Sequence, residues 1–88
     1  MTNVRAGDLA RVVDGYHTGA TCIVVRDVSE FWQLGRVMWE CHFPRPMQWK
    51  WPPGEWSDVG DVPDSKLRRI AGPEAAASVL NENEKETT

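Results

Sequence analysis

Eighty-eight residues, 41% hydrophobic and 26% charged, leave room for one domain and exclude both a second core and a wholly disordered chain. The formal charge of -3 is unevenly placed: residues 1–70 carry nine Lys/Arg and nine Asp/Glu, so the excess acid lies beyond them, in Glu74, Glu82, Glu84 and Glu86 against Lys85. A neutral body excludes the general electrostatic footprint of a nonspecific nucleic-acid binder, and no apolar run approaches the ~18 residues of a membrane span.

The start, Met1 to Asp8, has no apolar h-region of a signal peptide, so a cytoplasmic location is expected. In that compartment Cys22 and Cys41 are expected to be reduced. Gly7 and Asp8 read as a turn, and residues 9–13 as a short strand. The stretch 14–19 follows as a loop, in which Gly15 and Gly19 are available for positive φ. Residues 21–28 are rich in β-branched side chains and read as a strand covered on both sides for part of its length. Residues 29–33 are a connection. Residues 34–41 then alternate, with Val37, Trp39 and Cys41 on one face and Arg36, Met38 and Glu40 on the other. Trp39 is the strongest core candidate among the aromatics.

Prolines at 44, 46, 52 and 53 bracket residues 47–51, where Met47, Trp49 and Trp51 alternate with Gln48 and Lys50. This spacing predicts a strand at a sheet edge, because proline cannot donate to a ladder. Residues 57–62 read as turn-rich, with Asp58, Asp61 and Asp64 as turn formers. Pro63 to Lys66 reads as a single 3₁₀ turn, capped by Asp64, and residues 67–70 as the last strand. Residues 73–88 are expected to form an acidic, disordered or weakly helical tail after a domain spanning 1–72. Five short strands without an amphipathic helix predict an all-β fold, a small barrel or sandwich.

Two stretches resemble known families. Residues 7–25 resemble the KOW motif of ribosomal and transcription-factor barrels, with Gly7, Asp8, Ala10, Val12, Gly15, Gly19 and Val24 matching; Cys22 stands where that family usually has another glycine. Residues 62–70 resemble the closing segment of SH3 domains, in which a proline-led 3₁₀ turn precedes the final strand. The resemblance implies an all-β, five-stranded SH3-like barrel. It also implies an aromatic groove for extended peptides, with Pro63 beside it and Tyr16 contributing.

Seven of the eight aromatic residues lie between Phe31 and Trp56, with Tyr16 alone outside. Most such rings fill a core, yet Trp49, Trp51 and Trp56 are too many for one small interior, and some are expected on an interaction surface. The leading expectation is a non-enzymatic binding module for a protein or peptide, with Tyr16, Arg45, Trp49, Lys50, Trp51, Trp56 and Pro63 as ligand-binding residues. The alternative is a KOW-like RNA or DNA module, in which Trp49 and Trp51 stack bases while Arg45 and Lys50 contact phosphates. The edge at 47–51 also offers a route to a homodimer.

No catalytic residues are expected, since no nucleophile stands by a base in a known motif and no glycine-rich phosphate loop is present. No cofactor and no metal are expected either. His17, Cys22, Cys41 and His42 match no usual zinc spacing, and both cysteines read as buried structural residues.

Overall fold

The computed structural model describes residues 2–49 and 54–74. Five antiparallel strands build one sheet: β1 (Leu9–Val12), β2 (Thr21–Asp27), β3 (Met38–Gln48), β4 (Trp56–Pro63) and β5 (Leu67–Ala71). Their order across the sheet is β4-β3-β2-β1-β5. One helical turn, α1 (Ser29–Trp32), joins β2 to β3, and a 3₁₀ turn (Asp64–Lys66) directly precedes β5. The fold is all-β, as its strand-forming composition predicts. No helix among the described residues is long and apolar enough to cross a membrane.

The period-2 alternation of β1 and β2 turns Ala10, Val12, Cys22 and Val24 inward, while Arg11 and Arg26 stay exposed. The β1–β2 loop is closed by hydrogen bonds from Gly19 N to Val12 O (2.7 Å) and from Val12 N to Ala20 O (2.9 Å). Gly15 and Gly19 take φ of 92° and 95°, which side chains resist, so glycine is required at both bends. At α1 the Asp27 carboxylate accepts from the Ser29 N–H (2.8 Å) and the Ser29 hydroxyl. The hydroxyl first, then the N–H, holds the Asp27 carboxyl below the usual carboxylate range.

Three register shifts curl the sheet: between Leu9 and Ala10, between Val24 and Arg26, and between His42 and Met47. The concave side encloses Val4, Ala10, Val12, Cys22, Val24, Trp39, Cys41, Phe43, Val62 and Leu67. Trp39 is in the core, as its alternation predicts. Met38 is buried too, against the expectation that it faces away from Trp39, because the β3 strand begins where α1 packs over it and the Ser29 hydroxyl accepts from the Met38 N–H (2.9 Å).

Two strand expectations are corrected. The expected break at Pro44 and Pro46 is absent: β3 runs through both prolines, which fall in the register shift, where four residues of β3 are skipped by the β4 ladder and need no N–H bond. The fourth strand is the segment expected to be turns. Gly60, Asp58 and Asp61 sit within β4, paired to β3 from Trp39↔Val62 to Gln48↔Trp56. Met47 and Gln48 are bonded into that pair, so on this side they are not a sheet edge. Lys50 and Trp51, like most of the expected 73–88 tail, lie outside the described residues.

The sheet is not closed into a barrel. Among the described residues β4 and β5 pair only with β3 and β1, and the seam between them is bridged by the 3₁₀ turn. Asp64 does not cap that turn with its side chain. Its carboxylate instead accepts from the backbone N–H of Asn3 (2.9 Å) and Val4 (3.3 Å) and from the Trp39 indole (3.0 Å).

Candidate functional site

The open seam leaves a cleft of about 500 Å³. One wall is the β1–β2 loop with Asp14, Gly15, Tyr16 and His17; the other is β4 from Ser57 to Pro63, with Val12 and Val62 at the base. Trp32 lies at one end and Trp49 with Glu55 at the other. Each ring is held by the fold. The Trp32 indole donates to Asp61 Oδ2 (2.7 Å), and the Trp49 indole donates to the Ser57 carbonyl (2.9 Å).

An aromatic chain continues from the loop to the core. The His17 ring lies 5.0 Å from Tyr16 and 4.6 Å from Trp49, both edge-on, and Trp49 lies 5.4 Å from Phe43. Edge-on contacts of this kind contribute about 0.5–1.5 kcal/mol each beyond burial, which fixes the loop against the β3 end. Burial lowers the His17 pKa, and the Gln48 carbonyl opposes the shift. Gly60 is required by the same packing, since a Cβ there would overlap the Trp49 ring.

Among the described residues, charge in the cleft is mainly negative. Asp14, Glu55 and Asp61 line it with one ammonium, Lys66, whose Nζ lies 3.1 Å from where a Cβ on Gly15 would stand. These four described groups sum to two net negative charges.

Of the residues expected to bind ligand, Tyr16, Trp49 and Pro63 are brought together here from a loop, the end of β3 and the end of β4. Tyr16 is 67% exposed. Trp49 is half-buried and packs on the core, so it offers an edge rather than a free face. Trp56 is as exposed as Tyr16 but is not part of the cleft lining, and neither is Arg45, an exposed residue of the bulged part of β3. Lys50 and Trp51 lie outside the described residues.

Trp32, Asp61, Asp14, Glu55, His17 and Lys66 are among the cleft residues that sequence reasoning missed. Trp32 and Asp61 are separated by 29 positions, and no local pattern marks their bond. Lys66 was legible only as part of the 3₁₀ turn.

Cys22 and Cys41 sit apart from the cleft, both buried and both free thiols. They are neighbours across β2 and β3. A hydrogen bond to Cys22, then burial, pushes the Cys41 thiol far up, while the same hydrogen bond lowers the Cys22 thiol against the opposing effect of burial. They pack the core, with Cys41 Sγ 3.7 Å from the Trp39 carbonyl.

No protein-family model, no curated protein and no solved structure matches this chain.

Proposed function

We propose that the chain is a non-enzymatic binding module whose ligand is a protein segment or peptide held in the seam cleft. The observation that carries this reading is the meeting of Tyr16, Trp49 and Pro63, from three separate elements, around one cleft of about 500 Å³. That volume lies within the range of pre-formed ligand sites, and an exposed tyrosine beside fixed rings and a proline is the composition of peptide grooves. The SH3-like reading of the fold is supported by five antiparallel strands and by the 3₁₀ turn directly before β5. Cleft carboxylates at 14, 55 and 61 oppose the phosphates of the alternative nucleic-acid ligand. Two free buried thiols support a reducing compartment, the cytoplasm.

The test is an NMR titration of the ¹⁵N-labelled chain with a pool of random octapeptides and, separately, a pool of random octanucleotides at low salt. Millimolar peptide should shift Tyr16, His17 and the Trp49 indole, while oligonucleotide leaves them unmoved. A cleft silent to peptide, with oligonucleotide shifts at Arg45 that fade as salt rises, would replace this reading with the nucleic-acid one.

A further inference from the structure

Among the described residues β4 is an edge strand, and its side away from β3 faces the cleft. Which of its backbone groups point there follows from the ladder. Asp64 N donates to Val37 O (2.9 Å), and bonded and non-bonded positions alternate in antiparallel pairing. Counting back, Trp39↔Val62 and Cys41↔Gly60 are the bonded pairs. The same parity follows from the other side of β3, where the Met38 carbonyl accepts from Val28 N (2.8 Å) and so faces away from β4. Pro63, opposite Met38, has no N–H to lose, which suits a position turned to the free edge. Asp61 therefore directs both its N–H and its carbonyl away from β3, and Val59 directs its carbonyl likewise. The Val59 N–H is already taken by the Ser57 hydroxyl (3.1 Å).

Resting on the peptide-binding reading, we infer that the ligand is an extended, lysine- or arginine-bearing segment that adds to β4 as a sixth strand. Ser57 to Pro63 spans roughly 20 Å at ~3.3 Å per residue, room for about six ligand residues. The segment exchanges hydrogen bonds with Asp61 N–H and with the carbonyls of Val59 and Asp61, which supplies affinity without a fixed sequence. Asp14 and Glu55 stand across and at the end of the cleft to meet its basic side chains. The Asp61 carboxylate accepts from the Trp32 indole, a neutral donor. A second copy of this chain suits the edge less well, because the antiparallel β4–β4 register centred on Asp61 would set the two Asp61 carboxylates directly opposite each other.

The experiment uses five octapeptides on the full ¹⁵N-labelled chain: acetyl-Thr-Lys-Val-Lys-Val-Lys-Val-Thr-amide, the same peptide with Glu for each Lys, two versions of the lysine peptide N-methylated at alternate backbone amides in one register or the other, and a polyproline peptide with the same number of lysines. The lysine peptide should shift Val59 and Asp61 and slow exchange of the Asp61 amide. N-methylation in one of the two registers and the change to Glu should each weaken binding at least tenfold. Asp61→Asn, which keeps the N–H, should lower the salt dependence of binding while leaving exchange protection in place.

Equal binding of both N-methylated peptides, or tighter binding of the polyproline peptide, overturns strand addition and leaves the peptide reading standing. Preference for the Glu peptide overturns the charge assignment. Protection of the Asp61 amide in the free chain, with dimer mass in sedimentation equilibrium, gives the edge to a second copy. No cleft shift with any peptide at millimolar concentration removes the peptide reading together with this inference.

Discussion

Single residues set the cleft walls, and Gly60 shows how. It lies in β4 without a positive φ, so its requirement is steric and not a matter of backbone freedom. The space a Cβ would need is filled by the Trp49 ring, which is anchored by the Ser57 carbonyl and wedged against His17 and Phe43. Gly60→Ala should cost about 1–3 kcal/mol by overpacking, measured as a fall in urea midpoint at unchanged slope. In a Trp49→Leu background the cost should shrink by at least ~1 kcal/mol, because the two sites touch. An undiminished cost would mean that Trp49 is not what Gly60 accommodates. His17 carries a different prediction. Burial depresses its folded pKa below the ordinary value of 6.5, so the unfolded chain binds more protons in that interval. Its contribution to stability is therefore complete above pH 6.5 and is lost as pH falls through the folded value. His17→Phe should have a flatter stability profile between pH 7.5 and 5.5 than the parent chain, by urea unfolding at each pH. A parallel pair of profiles would show that His17 binds its proton equally well in the folded and unfolded chain, so that burial does not depress its pKa.

At the scale of elements, legibility tracked how local the physics was. β1 and β2 were readable because their apolar periods and glycine bends are properties of neighbours in sequence: Ala10 with Val12, Cys22 with Val24, Gly15 with Gly19. The 3₁₀ turn was readable from Pro63, which presets its φ at -61° just before the turn starts. β4 was not. Its residues, among them Asp58, Gly60 and Asp61, have the composition of turns, and they form a strand because β3 offers them a ladder and Trp49 occupies the space above Gly60. The prolines of β3 misled in the opposite direction, since a register shift excuses 44 and 46 from bonding. The site divides in the same way. Tyr16, Trp49 and Pro63 were visible as residue types, but the seam that unites them exists only because β4 and β5 stay apart. The acids that give the cleft its charge were legible merely as turn formers.

For the whole molecule, an open seam raises the question of what holds the two sheet edges in place without a ladder between them. The arm before β1 is the answer the contacts give. Val4 is 1% exposed and joins the core, while Asn3 and Val4 donate their N–H groups to Asp64 at the start of the 3₁₀ turn. Asn3 also donates its side-chain amide to the Asp64 carbonyl (3.1 Å). Asp64 reaches the core from the other side through the Trp39 indole, so one carboxylate ties arm, turn and β3 together. Val4→Ala removes buried methyl groups and should cost about 1.5–3 kcal/mol. Asp64→Ala strands three donors and should cost about 2–3 kcal/mol, with solvent access keeping it below the full sum of three charged bonds. If arm and turn act as one clasp, either change already releases the other's contacts. The double variant should then fall short of the summed single costs by at least ~1 kcal/mol in urea unfolding. Additivity within ~0.5 kcal/mol would make the arm and the turn separate devices. The β4 edge would then be positioned by its pairing to β3 alone, and the width of the cleft would not depend on the N-terminal arm.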